Sequence, residues 1–125
     1  MNIEFDKIES YVINKIFTAM PLNEAVIFRE QYNNRQNINR KVDTCGWYAH
    51  FCIPNEVKKI ANTNTLHIGD VVMPVAGMET GIGFILHISD GYISCLESYT
   101  YGEYLPASIP INFANGAMKL TAKSG

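Results

Sequence analysis

Apolar residues follow a helical period in the first part of the chain and a two-residue period later. Ile3, Ile8, Val12, Ile16 and Phe17 recur close to every 3.6 residues, which predicts a helix over 3–18 with Tyr11 and Ile13 flanking its stripe. Met20-Pro21 ends it, because a residue that precedes proline is driven out of the α region. Asn23 is placed to cap a second helix with Val26, Ile27 and Tyr32 on its apolar side. The run NNRQNINRK, Asn33 to Lys41, has almost no apolar content and reads as a loop. Val42 to Ile53 contains Trp47, Tyr48, Phe51 and Cys52 and reads as a strand stopped by Pro54. Asn55 to Asn64 reads as a turn or short helical piece. Val71, Val72 and Val75 predict a third strand, and Pro74 within it points to a sheet edge or a bulge. A final strand or extended segment is expected near Met118 to Leu120.

The strongest local signal is IGFILHISDGYISCLESY, residues 82 to 99. Ile82, Phe84, Leu86 and Ile88 alternate, Asp90-Gly91 supplies two left-handed positions, and a second β-rich run follows. A two-residue turn pairs Ser89 with Tyr92, Ile88 with Ile93, Leu86 with Cys95 and Phe84 with Glu97. That register puts Glu97 and Tyr99 on the apolar face with Ile82, Phe84, Leu86, Ile88, Ile93 and Cys95. It puts Ile85, His87, Ser94, Leu96 and Ser98 on the other. A bulge would reverse the faces beyond it. Two helices followed by antiparallel strands define a single α+β domain over residues 1–125, a helical pair packed on a sheet around the Asp-Gly hairpin.

Composition agrees with a globular chain: of 125 residues, 47% are hydrophobic and 18% charged. No apolar run approaches the roughly 18 residues of a membrane span. The start, MNIEFDKIES, lacks the basic and apolar regions of a signal peptide, and Cys45, Cys52 and Cys95 form an odd set, so a cytosolic protein with reduced, mostly buried thiols is expected. The net charge of -2 is unevenly distributed. From Ile60 to Met118 there is no Lys or Arg, whereas Asp70, Glu79, Asp90, Glu97 and Glu103 all fall there. A one-signed acidic surface repels nucleic acid and attracts basic partners.

Candidate chemistry is sparse. Cys45, His50 and Cys52 do not form paired metal-ligand spacing, and no metal or cofactor is expected. Cys95 and His87 lie on opposite faces in the register above, which keeps them apart as a nucleophile and base. GMETGIG, Gly77 to Gly83, lacks the lysine and the helix of a phosphate loop. One cluster remains: Glu97, Tyr99, Tyr101, Glu103 and Tyr104 fall within eight residues. Tyrosines among acids suit an interface for a basic protein.

The segment LHISDGYISCLESYTYGEYLP, with FREQYNN upstream, resembles small bacterial immunity proteins of toxin systems, including contact-dependent growth inhibition. The resemblance spans residues 8 to 106 and is most specific at Asp90, Gly91, Tyr92, Ser94, Leu96 and Glu97. It implies a non-enzymatic inhibitor that binds a basic toxin domain, such as a nuclease, with neither nucleic acid nor membrane as partner. Two other readings stand beside it: a ligand-binding protein or enzyme with a pocket around Glu97, His87 and Tyr99, and a structural dimer that pairs through an exposed strand.

Overall fold

Two helices begin the chain, α1 (Phe5–Thr18) and α2 (Leu22–Asn33). The computed structural model describes residues 3–36, 38–61, 66–109 and 119–124. The stripe of α1 buries Ile8, Val12, Ile16 and Phe17, as its spacing predicts, and Ile13, expected to flank it, is buried with them. The chain passes through Met20-Pro21 into α2. Pro21, rather than Asn23, occupies the N-cap, and its carbonyl accepts from the Glu24 and Ala25 amides. Proline's fixed φ suits this entry, and Asn23 falls inside the first turn.

Six strands follow: β1 (Asn39–Asp43), β2 (Gly46–His50), β3 (Leu66–Met73), β4 (Ile82–Ser89), β5 (Tyr92–Thr100) and β6 (Lys119–Ser124). They form one antiparallel sheet in the order β1-β2-β5-β4-β3-β6. The α+β class follows from the sequence pattern, but several boundaries differ. The polar run read as a loop enters strand β1 at Asn39, and the single strand expected over Val42 to Ile53 is two strands joined by a turn at Thr44-Cys45. β1 is polar and exposed along most of its length, so alternation cannot reveal it. β3 is interior, between β4 and β6, and Pro74 lies just past its end. A register shift between Ile68 and Val71 supplies a bulge. At the C-terminal end, Met118 lies outside the described residues, and β6 runs to Ser124.

The Asp90-Gly91 turn is tight, with φ 55° at Asp90 and 82° at Gly91, and Ser89 pairs with Tyr92 and Ile88 with Ile93 as expected. A Cβ at Gly91 would also meet the Ile60 carbonyl oxygen at 2.5 Å. Beyond Ile93 the register shifts by one: His87 pairs with Cys95, Leu86 with Leu96, Ile85 with Glu97 and Phe84 with Ser98. Ser94 is the extra residue of a β-bulge. The cause is visible in its hydrogen bonds. The Ile93 amide donates to Gln31 Oε1 of α2 at 2.9 Å, and Ser94 Oγ donates to the His87 carbonyl at 3.0 Å.

This bulge corrects the predicted faces. Leu96 and Ser98 join Ile82, Phe84, Leu86 and Ile88 under the helices, whereas Cys95, Glu97 and Tyr99 move to the side of Ile85 and His87. Ser98 is small enough to sit beneath Trp47, which it binds through backbone N and O at 3.1 and 2.9 Å. The Trp47 indole then packs edge-on against Phe84 and Phe5, with ring centres 5.9 and 5.0 Å away. Within this core Glu9 of α1 is fully buried. It accepts from Arg40 Nε at 2.8 Å, Arg40 Nη2 at 2.6 Å and Trp47 Nε1 at 2.9 Å. Its hydrogen bonds, more than any other influence, push the already high pKa of Arg40 further up.

Candidate functional site

The sheet has one face under α1 and α2. On the other face, alternation in β2 turns Tyr48 and His50 away from the helices, while Trp47 and Ala49 point into the core. Register then builds two rows across the strands. Lys41, Tyr48, Glu97 and Ile85 align in one, and Asn39, His50, Cys95 and His87 in the next.

Glu97 is the centre of this face. One carboxylate oxygen lies 2.9 Å from His87 Nε2, and the other accepts from Tyr48 Oη at 3.3 Å. The Tyr48 ring stacks on His50 with centres 6.1 Å apart. Negative charge on Glu97 is the main influence that raises the Tyr48 phenol above its ordinary value. Glu97 therefore has partners on both sides and faces away from the apolar core, contrary to the register expected from the sequence.

Tyr99 sits between two glycines, Gly46 of β2 and Gly83 of β4. A Cβ at Gly83 would lie 2.5 Å from the Tyr99 ring, so the aromatic side chain occupies the space that the glycine leaves. Tyr101 reaches back with its hydroxyl 3.3 Å from that of Tyr99, their rings edge to face at 5.2 Å. Tyr104 is 79% exposed.

Glu103 has a different surrounding from the rest of the predicted cluster. Its carboxylate accepts from the Glu79 and Thr80 amides at 3.0 and 3.1 Å and from Thr80 Oγ1 at 3.0 Å. The Thr80 amide bond is the largest cause holding its carboxyl below the usual range. Glu103 thus ties the segment before β4 to the segment after β5. The structure brings Glu97 together with Tyr48 and His87, and Tyr99 with Tyr101, while Glu103 binds backbone. Sequence reasoning placed Tyr48 in a strand without a site role and weighed His50 only as a metal ligand, although the alternation of GWYAH carries the signal.

Cys95 and His87, expected on opposite faces, are cross-strand partners on the same face. Burial first, and then the Glu97 charge, push the Cys95 thiol up to about 11, which disfavours the thiolate a nucleophile needs. Cys45 and Cys52 are exposed, so the expectation of mostly buried thiols holds only for Cys95. Titration of the native protein with Ellman's reagent should show two fast thiols and a third that reacts only on denaturation. Three equal rates would contradict the burial of Cys95. Among the described residues no group of His, Cys, Asp and Glu is placed to hold a metal ion. Among them also, no helix is long and apolar enough to cross a membrane.

No protein-family profile, curated protein or solved structure shows a significant match to this chain.

Proposed function

We propose that this chain is a cytosolic immunity-type protein that neutralises a basic bacterial toxin domain by stoichiometric binding. Its contact surface is the helix-free face of the sheet with the adjoining 101–104 loop. The observation that carries this reading is the gathering of Tyr48, Glu97, His87, Tyr99 and Tyr101 on the face of the sheet opposite α1 and α2. Tyr48 and Tyr101 are 42% and 44% exposed, and tyrosines offer large, rigid contact area at small entropic cost. Glu97 is held by Tyr48 and His87, so little ordering is left for binding to complete. The central strands β4 and β5 carry Glu97 and no Lys or Arg, with Asp90 in the turn between them, and Lys41 of β1 stands at the end of the Glu97 row. Acids of this kind steer a basic partner, and buried aromatic anchors retain it. The mechanism is occlusion of the toxin's working surface.

Surface plasmon resonance against a toxin domain encoded beside this chain tests the reading. Tyr101→Ala and Tyr104→Ala should each speed dissociation by about tenfold, the loss of an anchor worth about 1.4 kcal/mol. Glu97→Gln keeps a side chain of the same shape and should slow association and weaken its salt dependence. Glu103→Lys is a poor probe, because it also releases Glu79 and Thr80. Absence of binding at micromolar concentration, or unchanged rates in all three variants, would overturn the proposal.

A further inference from the structure

We propose that a cleft between α1 and α2 binds a small ligand carrying a carboxylate or phosphate on a planar, apolar body. The cleft has a volume of about 400 Å³ and includes Arg29, Arg35, Tyr32, Phe17, Asn14 and Ser10 in its lining. It lies in the helical layer, on the other side of the sheet from the face proposed above, and rests on different observations.

The first is unbalanced charge. Two guanidinium groups line one cleft, and no residue that lines it is acidic. Arg40 provides the contrast within the same molecule, since it is paired with both Glu9 and Asp6. Neither Arg29 nor Arg35 forms an ion pair among the described residues. Among the described residues Arg29 donates to neutral oxygens, Asn14 Oδ1 at 2.8 Å and Thr18 Oγ1 at 3.1 Å. These bonds hold its side chain across the gap between the helices. Two like charges drawn into one concavity repel, and an anion between them relieves that repulsion.

The second observation is an unmatched donor. Arg35 stacks on the Tyr32 ring, its guanidinium carbon 3.8 Å from the ring centre, and Nη1 donates to the Tyr32 carbonyl at 2.6 Å. Its Nε is buried and has no hydrogen-bond partner among the described residues. Buried donors are matched in nearly all folded proteins, and an unmatched one calls for an acceptor. A small movement of this side chain toward the cleft would give that acceptor to Nε. Carboxylate and phosphate fit the planar fork of arginine through paired hydrogen bonds.

The third observation concerns the rest of the ligand. Arg29 and Arg35 lie over the buried Phe17 and Tyr32 rings, 5.6 and 3.8 Å from their centres, so a planar body would stack on the guanidinium faces, and Ser10 Oγ with Tyr32 Oη, 2.9 Å apart, adds a polar spot. The volume lies within the range of small-molecule sites.

Nuclear magnetic resonance of the intact chain, including the arginine Nε–H signals, tests the inference with phenyl phosphate, benzoate, inorganic phosphate and neutral benzyl alcohol as probes. Phenyl phosphate and benzoate should shift the Arg35 Nε–H signal and the amides of Ser10 and Tyr32, and benzyl alcohol should not. Arg29→Gln and Arg35→Gln should each weaken phenyl phosphate binding by about tenfold or more, with dispersed spectra to show that the variants are folded. Inorganic phosphate should bind more weakly than phenyl phosphate, and equal binding would overturn the claim for an apolar body. No cleft shifts at about 10 mM phenyl phosphate or benzoate, or equal shifts in the doubly substituted chain, would overturn the site itself.

Discussion

Replacing Arg40 with methionine is expected to destabilise the fold by about 3–5 kcal/mol, the range for removing one partner of a buried ion pair. Glu9 would remain with no solvent to replace the two hydrogen bonds that Arg40 supplies. Its bond from Trp47 Nε1 offsets only part of that loss. In a chain of this length such a change lowers the melting temperature by on the order of 10–20 °C. The outer part of the network matters less: Asp6 is 75% exposed, so Asp6→Asn should cost under about 1 kcal/mol. Methionine fits the stem of Arg40 but carries no charge, so the double change Glu9→Leu with Arg40→Met should recover much of the loss. Thermal and denaturant unfolding of the three variants beside the wild type measures this. A loss below about 1 kcal/mol for Arg40→Met would contradict the burial of a charged Glu9.

Gln31→Leu is expected to cost about 2–4 kcal/mol, since one side chain serves three backbone groups at once. Its amide nitrogen donates to the carbonyls of Gly91 at 2.9 Å and Lys58 at 3.1 Å, and its oxygen accepts from the Ile93 amide at 2.9 Å. Leucine fills a similar volume and leaves the Ile93 donor unmatched. Gly91 O retains the Ile60 amide at 3.2 Å, so the turn itself is not lost. The loss should therefore fall on the bulge. Hydrogen exchange at Ile93 should speed by more than the global destabilisation explains, and unaltered exchange there would show that Gln31 does not hold the register.

That bulge marks where the sequence stops being readable. The alternation of Ile82 to Ile88 and the Asp90-Gly91 pair specify two strands and a turn, and the first two residue pairs follow from them. The next pair depends on Gln31, which is far away in the chain and reaches Ile93 only in the folded state. Because strand faces alternate every residue, this one contact moves Cys95, Glu97 and Tyr99 to the opposite side. The Glu97–Tyr48 and Glu97–His87 contacts were therefore hidden, although each residue lay in a recognisable strand. Strand β1 was hidden for another reason: its polar residues pair with β2 through backbone, which leaves no hydrophobic trace. Glu9 left a faint one, an acid among Ile8, Val12 and Ile13 on the buried stripe of α1.

The helix-free face and the helical layer offer different surfaces to a partner, and a paired kinetic comparison separates them. Leu22 and Val26, one turn apart on α2, are 79% and 56% exposed and form the competing apolar surface. Tyr48→Ala and Tyr104→Ala on one side, and Leu22→Ala and Val26→Ala on the other, should be measured against the same immobilised toxin domain. The expected result is dissociation faster by about tenfold for the tyrosine variants, with wild-type rates for the α2 variants. Wild-type rates for both tyrosine variants, with faster dissociation of the α2 variants, would contradict binding through the face of the sheet opposite the helices.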